Sequence, residues 1–210
     1  MKILTMKFGG TSVADIDRIR AVRDIISDEI KDGWNVVAVV SAMSKETNKL
    51  IDLAKQVGVE NLVDPEYDAL ISTGEDVSSS LLAIALNSIE IPSRSWRGWQ
   101  LPIRTDSFHS NAKIEEIKTN QIINSFKEGV KVAVVSGFQG IEQAGRITTL
   151  GRGGSDTSAV AIAAAIDAER CDIYTDVSGI YTTDPRIKRN ASKLKKISFE
   201  EMLEMASLGA

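Results

Sequence analysis

The chain has 210 residues, of which 43% are hydrophobic and 26% charged, and its formal net charge is −4. These are ordinary globular proportions, and the lack of a basic excess argues against nucleic-acid binding. One cysteine, Cys171, excludes an internal disulfide and a thiolate metal cluster, and one histidine, His109, disfavours Ser-His-Asp catalysis and multi-His zinc sites.

The length suits one domain, or one domain and part of another, at roughly 150 residues per domain. No uninterrupted apolar run approaches the roughly 18 residues of a membrane span. The N-terminus lacks a signal-peptide layout. A cytoplasmic chain with no membrane partner is expected.

Residues 2–8 are apolar and run into Gly9-Gly10-Thr11-Ser12, which predicts a buried strand and a tight loop. Ile16, Ile19, Val22, Ile26 and Ile30 then recur at spacings of three and four, the stripe of an amphipathic helix. Asp15 or Ser12 can cap its start and Gly33 can end it. Residues 34–40 are a second apolar, β-branched run, followed by Ser41-Ala42-Met43-Ser44. Strand, helix, strand in this order predicts a parallel βαβ unit.

Helices are predicted around 49–57 and 67–86, the second holding Ser72-Thr73-Gly74-Glu75-Asp76. Pro92 and Pro102 bracket a predicted strand near 95–100, and 114–126 reads as a helix stopped by Gly129. Residues 131–135 form a third β-branched run, and 141–149 suggest a hairpin. Gly151-Arg152-Gly153-Gly154-Ser155-Asp156 opens an Ala-rich helix to about residue 168. A strand at 172–175, a loop at 176–186 and a last helix at 199–207 complete the pattern. Small-residue loops thus follow several strands, at the edge where open α/β sheets bind ligands.

Two glycine loops carry the chemical signal: Lys7-Phe8-Gly9-Gly10-Thr11-Ser12 and Gly151-Arg152-Gly153-Gly154-Ser155-Asp156. Glycines let backbone N–H groups approach an anion, and a helix N-terminus behind the loop adds partial positive charge. Each loop has an adjacent cation, Lys7 or Arg152. Neither is a P-loop, and neither completes the dinucleotide fingerprint G-x-G-x-x-G. A P-loop kinase and a Rossmann oxidoreductase are therefore disfavoured. A phosphate cradle and a pair of tight turns both remain open on this pattern alone. Arg94, Trp96, Arg97, Trp99 and Arg104 interleave cations with aromatics, but the negative net charge argues against a single-strand nucleic-acid surface.

Five segments, in order, resemble the amino-acid kinase family and, within it, the aspartate kinases. They are Lys7-Phe8-Gly9-Gly10-Thr11-Ser12-Val13; Val40-Ser41-Ala42-Met43 with Thr47; Ser72-Thr73-Gly74-Glu75; Thr149 through Asp156; and Tyr174 through Arg186. The resemblance implies a three-layer αβα sandwich around a mostly parallel sheet, and transfer of the γ-phosphoryl group of ATP to L-aspartate. It implies residues 1 to about 130 as an aspartate-binding lobe and about 131–210 as an incomplete ATP-binding lobe. Magnesium would arrive with ATP.

By matching position, the resemblance assigns Lys7 and Asp156 to catalysis. It assigns Ser41, Thr47, Glu75, Arg152 and Ser155 to the substrate, and Lys7, Gly9, Gly10, Thr175, Asp176, Tyr181 and Arg186 to the nucleotide. No residue is assigned to a dedicated metal site. Bland alternatives exist: Glu75 could be a helix-surface carboxylate, and Arg152 could pair with Asp156 as a loop staple. His109 reads as a loop residue.

The chain ends at Ala210, where the family continues into further helices and regulatory domains. The resemblance thus implies a catalytic domain shortened at its C-terminus, with no regulatory domain present and with apolar surface left to favour a homo-oligomer. A sister kinase acting on another acid, and a binding module without turnover, are the competing readings.

Overall fold

A computed structural model describes residues 1–58, 63–176, 179, 182, 188 and 190–196. Met1–Thr175 forms one compact unit and Asp176–Ala210 another. The first unit begins β1 (Ile3–Phe8), α1 (Ile16–Lys31), β2 (Asn35–Val40), α2 (Glu46–Val57), α3 (Pro65–Ile71), α4 (Thr73–Asn87) and β3 (Ser93–Trp96). It continues β4 (Ile103–Thr105), β5 (Ile114–Ile117), α5 (Asn120–Lys127), β6 (Val132–Ser136), β7 (Gln139–Ile141), β8 (Ile147–Thr149), α6 (Gly154–Ala165) and β9 (Arg170–Tyr174). In the second unit, the Thr182 N–H donates to Ser192 O at 3.0 Å and the Ser192 N–H to Thr182 Oγ1 at 3.1 Å.

Five strands form a sheet in the order β3-β6-β2-β1-β9, every pairing parallel. The βαβ expectation holds. Alternation along the strands divides the core in two. Leu4, Met6 and Phe8 of β1, with Val36, Ala38 and Val40 of β2, pack with Ile19, Val22 and Ile26 of α1 and Leu82 and Leu86 of α4. The intervening residues, Ile3, Val37, Val39, Ala133 and Val135, pack with Ile122 and Phe126 of α5 and with Ala159 and Ile162 of α6. Helices thus cover both faces, giving the three-layer αβα sandwich. A second sheet, β5-β4-β7-β8, mixes antiparallel and parallel pairs.

Local chemistry agrees with several boundaries. The Asp15 side chain caps α1 by accepting from the Arg18 N–H at 2.9 Å, and Gly33 takes φ +88° just past its end. Gly145 turns the β7–β8 hairpin at φ +83°.

The structure corrects four expectations. Residues 114–126 are not one helix: β5 pairs antiparallel with β4, and α5 starts only at Asn120. The three-residue spacing of Ile114 and Ile117 imitates a helical stripe, yet Ile117 faces Ile103 across the strands. The strand expected at 95–100 lies earlier, at Ser93–Trp96. The helix expected at 67–86 is α3 and α4, with one turn at Ser72 between them. The Ala-rich helix ends at Ala165, because Asp167 turns left-handed at φ +55°. The predicted helix at 199–207 and most of the loop at 176–186 lie outside the described residues.

Pro65–Asn87 is long and apolar enough, by length and composition, to cross a membrane. A search for uninterrupted apolar runs passes over it because polar residues are scattered through α4. Half of its most apolar window is buried, and α4 packs on α1, β2, β3 and β6, as a core helix does.

A fully buried carboxylate fastens α3 to this frame. Asp68 accepts from the Thr149 N–H at 3.0 Å, Thr149 Oγ1 at 2.6 Å and the Ser110 N–H at 3.0 Å, and its Oδ2 lies 2.8 Å from His109 Nδ1. Replacing Asp68 by Ala leaves these buried donors unmatched. Urea unfolding of Asp68→Ala should show a loss of roughly 3–5 kcal/mol. A midpoint equal to that of the parent would contradict this account.

Candidate active site

The parallel sheet brings the loops after β1, β2 and β6, and the end of β9, to one edge. Lys7 is the penultimate residue of β1 and, by alternation, faces the α6 layer. Only 8% of it is exposed. Its Nζ lies 2.6 Å from Asp156 Oδ1, in the first turn of α6, where an acid also suits the helix dipole. The staple between Arg152 and Asp156 is therefore not the arrangement found. Arg152 is exposed and makes no ion pair among the described residues.

The glycine loops allow this approach. A Cβ on Gly9 would sit 3.4 Å from Lys7 Nζ, and one on Gly10 would sit 3.0 Å from the Ala42 carbonyl oxygen. Gly153 turns into α6 at φ +74°. Thr175 and Asp176 are exposed and follow β9, whose Tyr174 pairs with Phe8. Tyr181 and Arg186 lie outside the described residues.

A second cluster forms where α4 meets the loop after β2. A Cβ on Gly74 would fall 2.8 Å from Ala42 Cβ, so glycine lets the start of α4 reach that loop. Ser78 Oγ donates to the Ser41 carbonyl at 2.7 Å, and the Ala42 N–H donates to Glu75 Oε1 at 3.0 Å. Glu75 is 3% exposed and its Oε2 meets no hydrogen-bond partner among the described residues. It is a buried carboxyl group, not a surface one. Thr47 lies half-buried in the first turn of α2, and Ser155 is buried in the first turn of α6 beside Gly137. The geometry therefore gathers Lys7, Gly9 and Asp156 in one group, and Ser41 and Glu75 in another.

Burial pushes the Glu75 carboxyl up to about 8, against the lowering effect of the Ala42 N–H, while the Asp76 charge pushes it further up. A carboxyl held neutral near pH 7 with one oxygen unpaired is suited to receive a cation, which would draw off its proton.

Sequence reading missed three participants. Asp76, Ser136 and Gln139 form a polar network beside Glu75. Asp76 lay inside a quoted motif, but nothing in the pattern distinguished its partners. His109, read as a loop residue, is buried against Asp68. The one available signal was a polar residue, Asp68, on the apolar side of a short helix.

The shift at Glu75 has a pH consequence. Between the ordinary carboxyl value near 4.5 and the folded value of about 8, the folded state keeps a proton that the unfolded state has lost. Stability contributed by this group is therefore lost as pH rises across that window, by on the order of 4 kcal/mol. Urea midpoints from pH 5 to 9 should fall more steeply for the parent than for Glu75→Gln. Parallel curves would show that the carboxyl does not hold its proton.

The family model described as the amino acid kinase family matches residues 2–210. An aspartokinase of Bacillus sp. (strain MGA3) is 53% identical over the whole of this chain and 51% of its own length. The structure of an aspartate kinase from Synechocystis superposes with TM-score 0.82 at 46% identity, covering 98% of this chain and 34% of that one. E. coli aspartokinase III in complex with aspartate and ADP superposes with TM-score 0.84 at 30% identity, covering 98% of this chain and 56% of that one. The chain spans about half the length of the curated relatives it matches. With a family model matched across nearly every residue, the two glycine loops and the Lys7–Asp156 pair between them belong to a member of the amino acid kinase family.

Proposed function

We propose that this chain is the catalytic portion of an aspartate kinase, transferring the γ-phosphoryl group of ATP to the side-chain carboxylate of L-aspartate to give 4-phospho-L-aspartate and ADP. The observation that carries the reading is the buried Lys7 ammonium, paired with Asp156 at 2.6 Å among glycine loops at the ligand edge of the sheet. The likeness to E. coli aspartokinase III, solved with aspartate and ADP, supports the choice of substrates.

The chemistry asks for no general base. A side-chain carboxylate of pKa about 4 is ionised at neutral pH and is itself the nucleophile. The difficulty is one anion attacking another, which calls for positioning and positive charge. Lys7 meets the transferring phosphoryl oxygens, and Asp156 holds its ammonium in place. Gly9 and Gly10 let backbone N–H groups approach the phosphates. Glu75 Oε2 takes the α-ammonium of aspartate and Arg152 its α-carboxylate, with Ser41, Thr47 and Ser155 in support. Thr175, Asp176, Tyr181 and Arg186 are assigned to the nucleotide.

Residues to about 130 form the aspartate lobe in this reading and the remainder the ATP lobe, with Arg152 and Ser155 reaching across that division. No group of three His, Cys, Asp or Glu side chains gathers as a metal site among the described residues. Magnesium in this reading would be held largely by phosphate oxygens and water, beside an Asp156 side chain that is 48% exposed. When bound, the ion neutralises charge on the phosphate oxygens. A cytoplasmic homo-oligomer belongs to the same reading.

The test is MgATP-dependent hydroxamate formation with L-aspartate, with L-glutamate as control. Aspartate-specific product is expected. Product from glutamate alone would overturn the substrate, and MgATP binding without product from either acid would make the chain a binding fragment. In the active chain, Lys7→Ala should abolish turnover while leaving aspartate binding within several-fold, and undiminished turnover would reject its role. Arg152→Ala should weaken aspartate binding by roughly tenfold or more. An unchanged dissociation constant by calorimetry would remove Arg152 from the site.

A further inference from the structure

Asp76 follows Glu75 in the chain, but its side chain serves different partners. Its Oδ1 accepts from Ser136 Oγ at 2.9 Å and from Gln139 Nε2 at 3.2 Å, and its Oδ2 lies 3.2 Å from Arg97 Nε. Ser79 Oγ lies 2.9 Å from Ser136 Oγ and 3.2 Å from the Asp76 carbonyl oxygen, so its one proton is shared between these two acceptors. Gln139 Nε2 also donates to the Ser72 carbonyl at 3.1 Å, and its Oε1 accepts from the Gly98 N–H at 3.1 Å. Ser79, Ser136 and Gln139 are buried. A satisfied polar network in such surroundings is rigid.

The segment 136–139 that Asp76 grips is fastened on its other side to α6. The Phe138 N–H donates to Ser158 Oγ at 3.0 Å. A Cβ on Gly137 would lie 3.0 Å from Ser155 Cβ and Oγ, and one on Gly154 would lie 2.8 Å from Phe138 Cδ2. One short segment thus joins the helix that carries Glu75 to the helix that carries Ser155 and Asp156.

We infer that Asp76 is a positioning residue for the amino-acid site: through Ser136 and Gln139 it sets the separation between Glu75 on α4 and the Arg152–Ser155 turn at the start of α6. The inference rests on the aspartate kinase reading. The reason is geometric. The α-ammonium and α-carboxylate of an amino acid hang on one carbon, so their distance is fixed. The groups that receive them must keep a matching distance, and a small misplacement costs binding. Lys7 and the loop after β1 lie on a strand that makes no hydrogen bond to Asp76, so the clamp reaches the nucleotide side only indirectly, through Asp156 in the first turn of α6.

The test compares Asp76→Leu and Asp76→Asn with the parent chain. The leucine variant should raise the aspartate KM roughly tenfold or more, with the MgATP KM within about twofold. Asparagine keeps an acceptor oxygen for Ser136 and should restore most of the aspartate KM. Amide hydrogen exchange at Gly137 and Phe138 should quicken roughly tenfold in the leucine variant, with the amides of β1 and β2 unchanged.

Equal loss on both substrates, with asparagine no better than leucine, would mean a general structural role and overturn the proposal. Unchanged protection at Gly137 and Phe138 overturns it whatever the activity. If the parent makes no aspartyl product while the leucine variant loses that protection, the clamp stands and the aspartate reading falls. Should the leucine variant not fold, Ser136→Ala, which removes one link and leaves Asp76 in place, must show the same split, and its absence overturns the proposal.

Discussion

A lysine ammonium buried at the end of a strand needs an anion, and the Lys7–Asp156 pair meets that need. The two-residue period of β1 decides where the anion must come from. Leu4, Met6 and Phe8 occupy the face toward α1 and α4, so Lys7 is turned to the other face, where α6 lies. The start of α6 can approach because the loops on both sides are glycine. A side chain at Gly9 would start in contact with the ammonium, and one at Gly154 would strike Phe138. Removing either carboxylate or ammonium would leave its partner buried or half-buried without compensation.

The same alternation distributes the site between layers. Glu75 comes from the α1–α4 layer and Asp156 from the α5–α6 layer. They approach one another only at the carboxyl edge, where the strands end and the helices on both faces begin. A parallel sheet is what aligns those ends. Were β1 antiparallel to β2, Lys7 and Ser41 would sit at opposite edges. The register of Phe8 with Val40 and Tyr174 instead places three strand ends side by side.

Much of this frame was legible in the sequence, for a physical reason. Buried parallel strands are continuous β-branched runs, as at Val36–Val40 and Val132–Val135, and glycine loops at their ends stand out. What failed were elements stabilised by partners distant in the chain. Ile114–Ile117 is a strand because β4 lies beside it, a fact no local spacing carries. Asp68 and His109 lie 41 residues apart, and the buried Asp68 carboxyl is satisfied by His109 together with Ser110 and Thr149. Motif matching reached Glu75, but not its burial, which comes from Gly74 letting α4 close on Ala42. Asp76 was invisible as a functional residue because its meaning depends on Ser136, Gln139 and Arg97.

The electrostatics of the proposed reaction follow from these burials. ATP and aspartate are both anions, and two uncompensated carboxylates at their meeting point would repel them. Each acid is neutralised by a different device. Asp156 is matched by the Lys7 ammonium, and Glu75 is held protonated by burial to about pH 8. Exposed Arg152 is left as a cation without an ion pair among the described residues. In the proposed reaction, an α-ammonium at Glu75 Oε2 would draw off the carboxyl proton. On that proposal, binding of the amino acid would release a proton below about pH 8, coupled to the ammonium and not to the phosphoryl transfer. One acid of the site thus changes charge with substrate binding while the other keeps its partner throughout. In the proposed reaction, that division would keep Lys7 aimed at the phosphates.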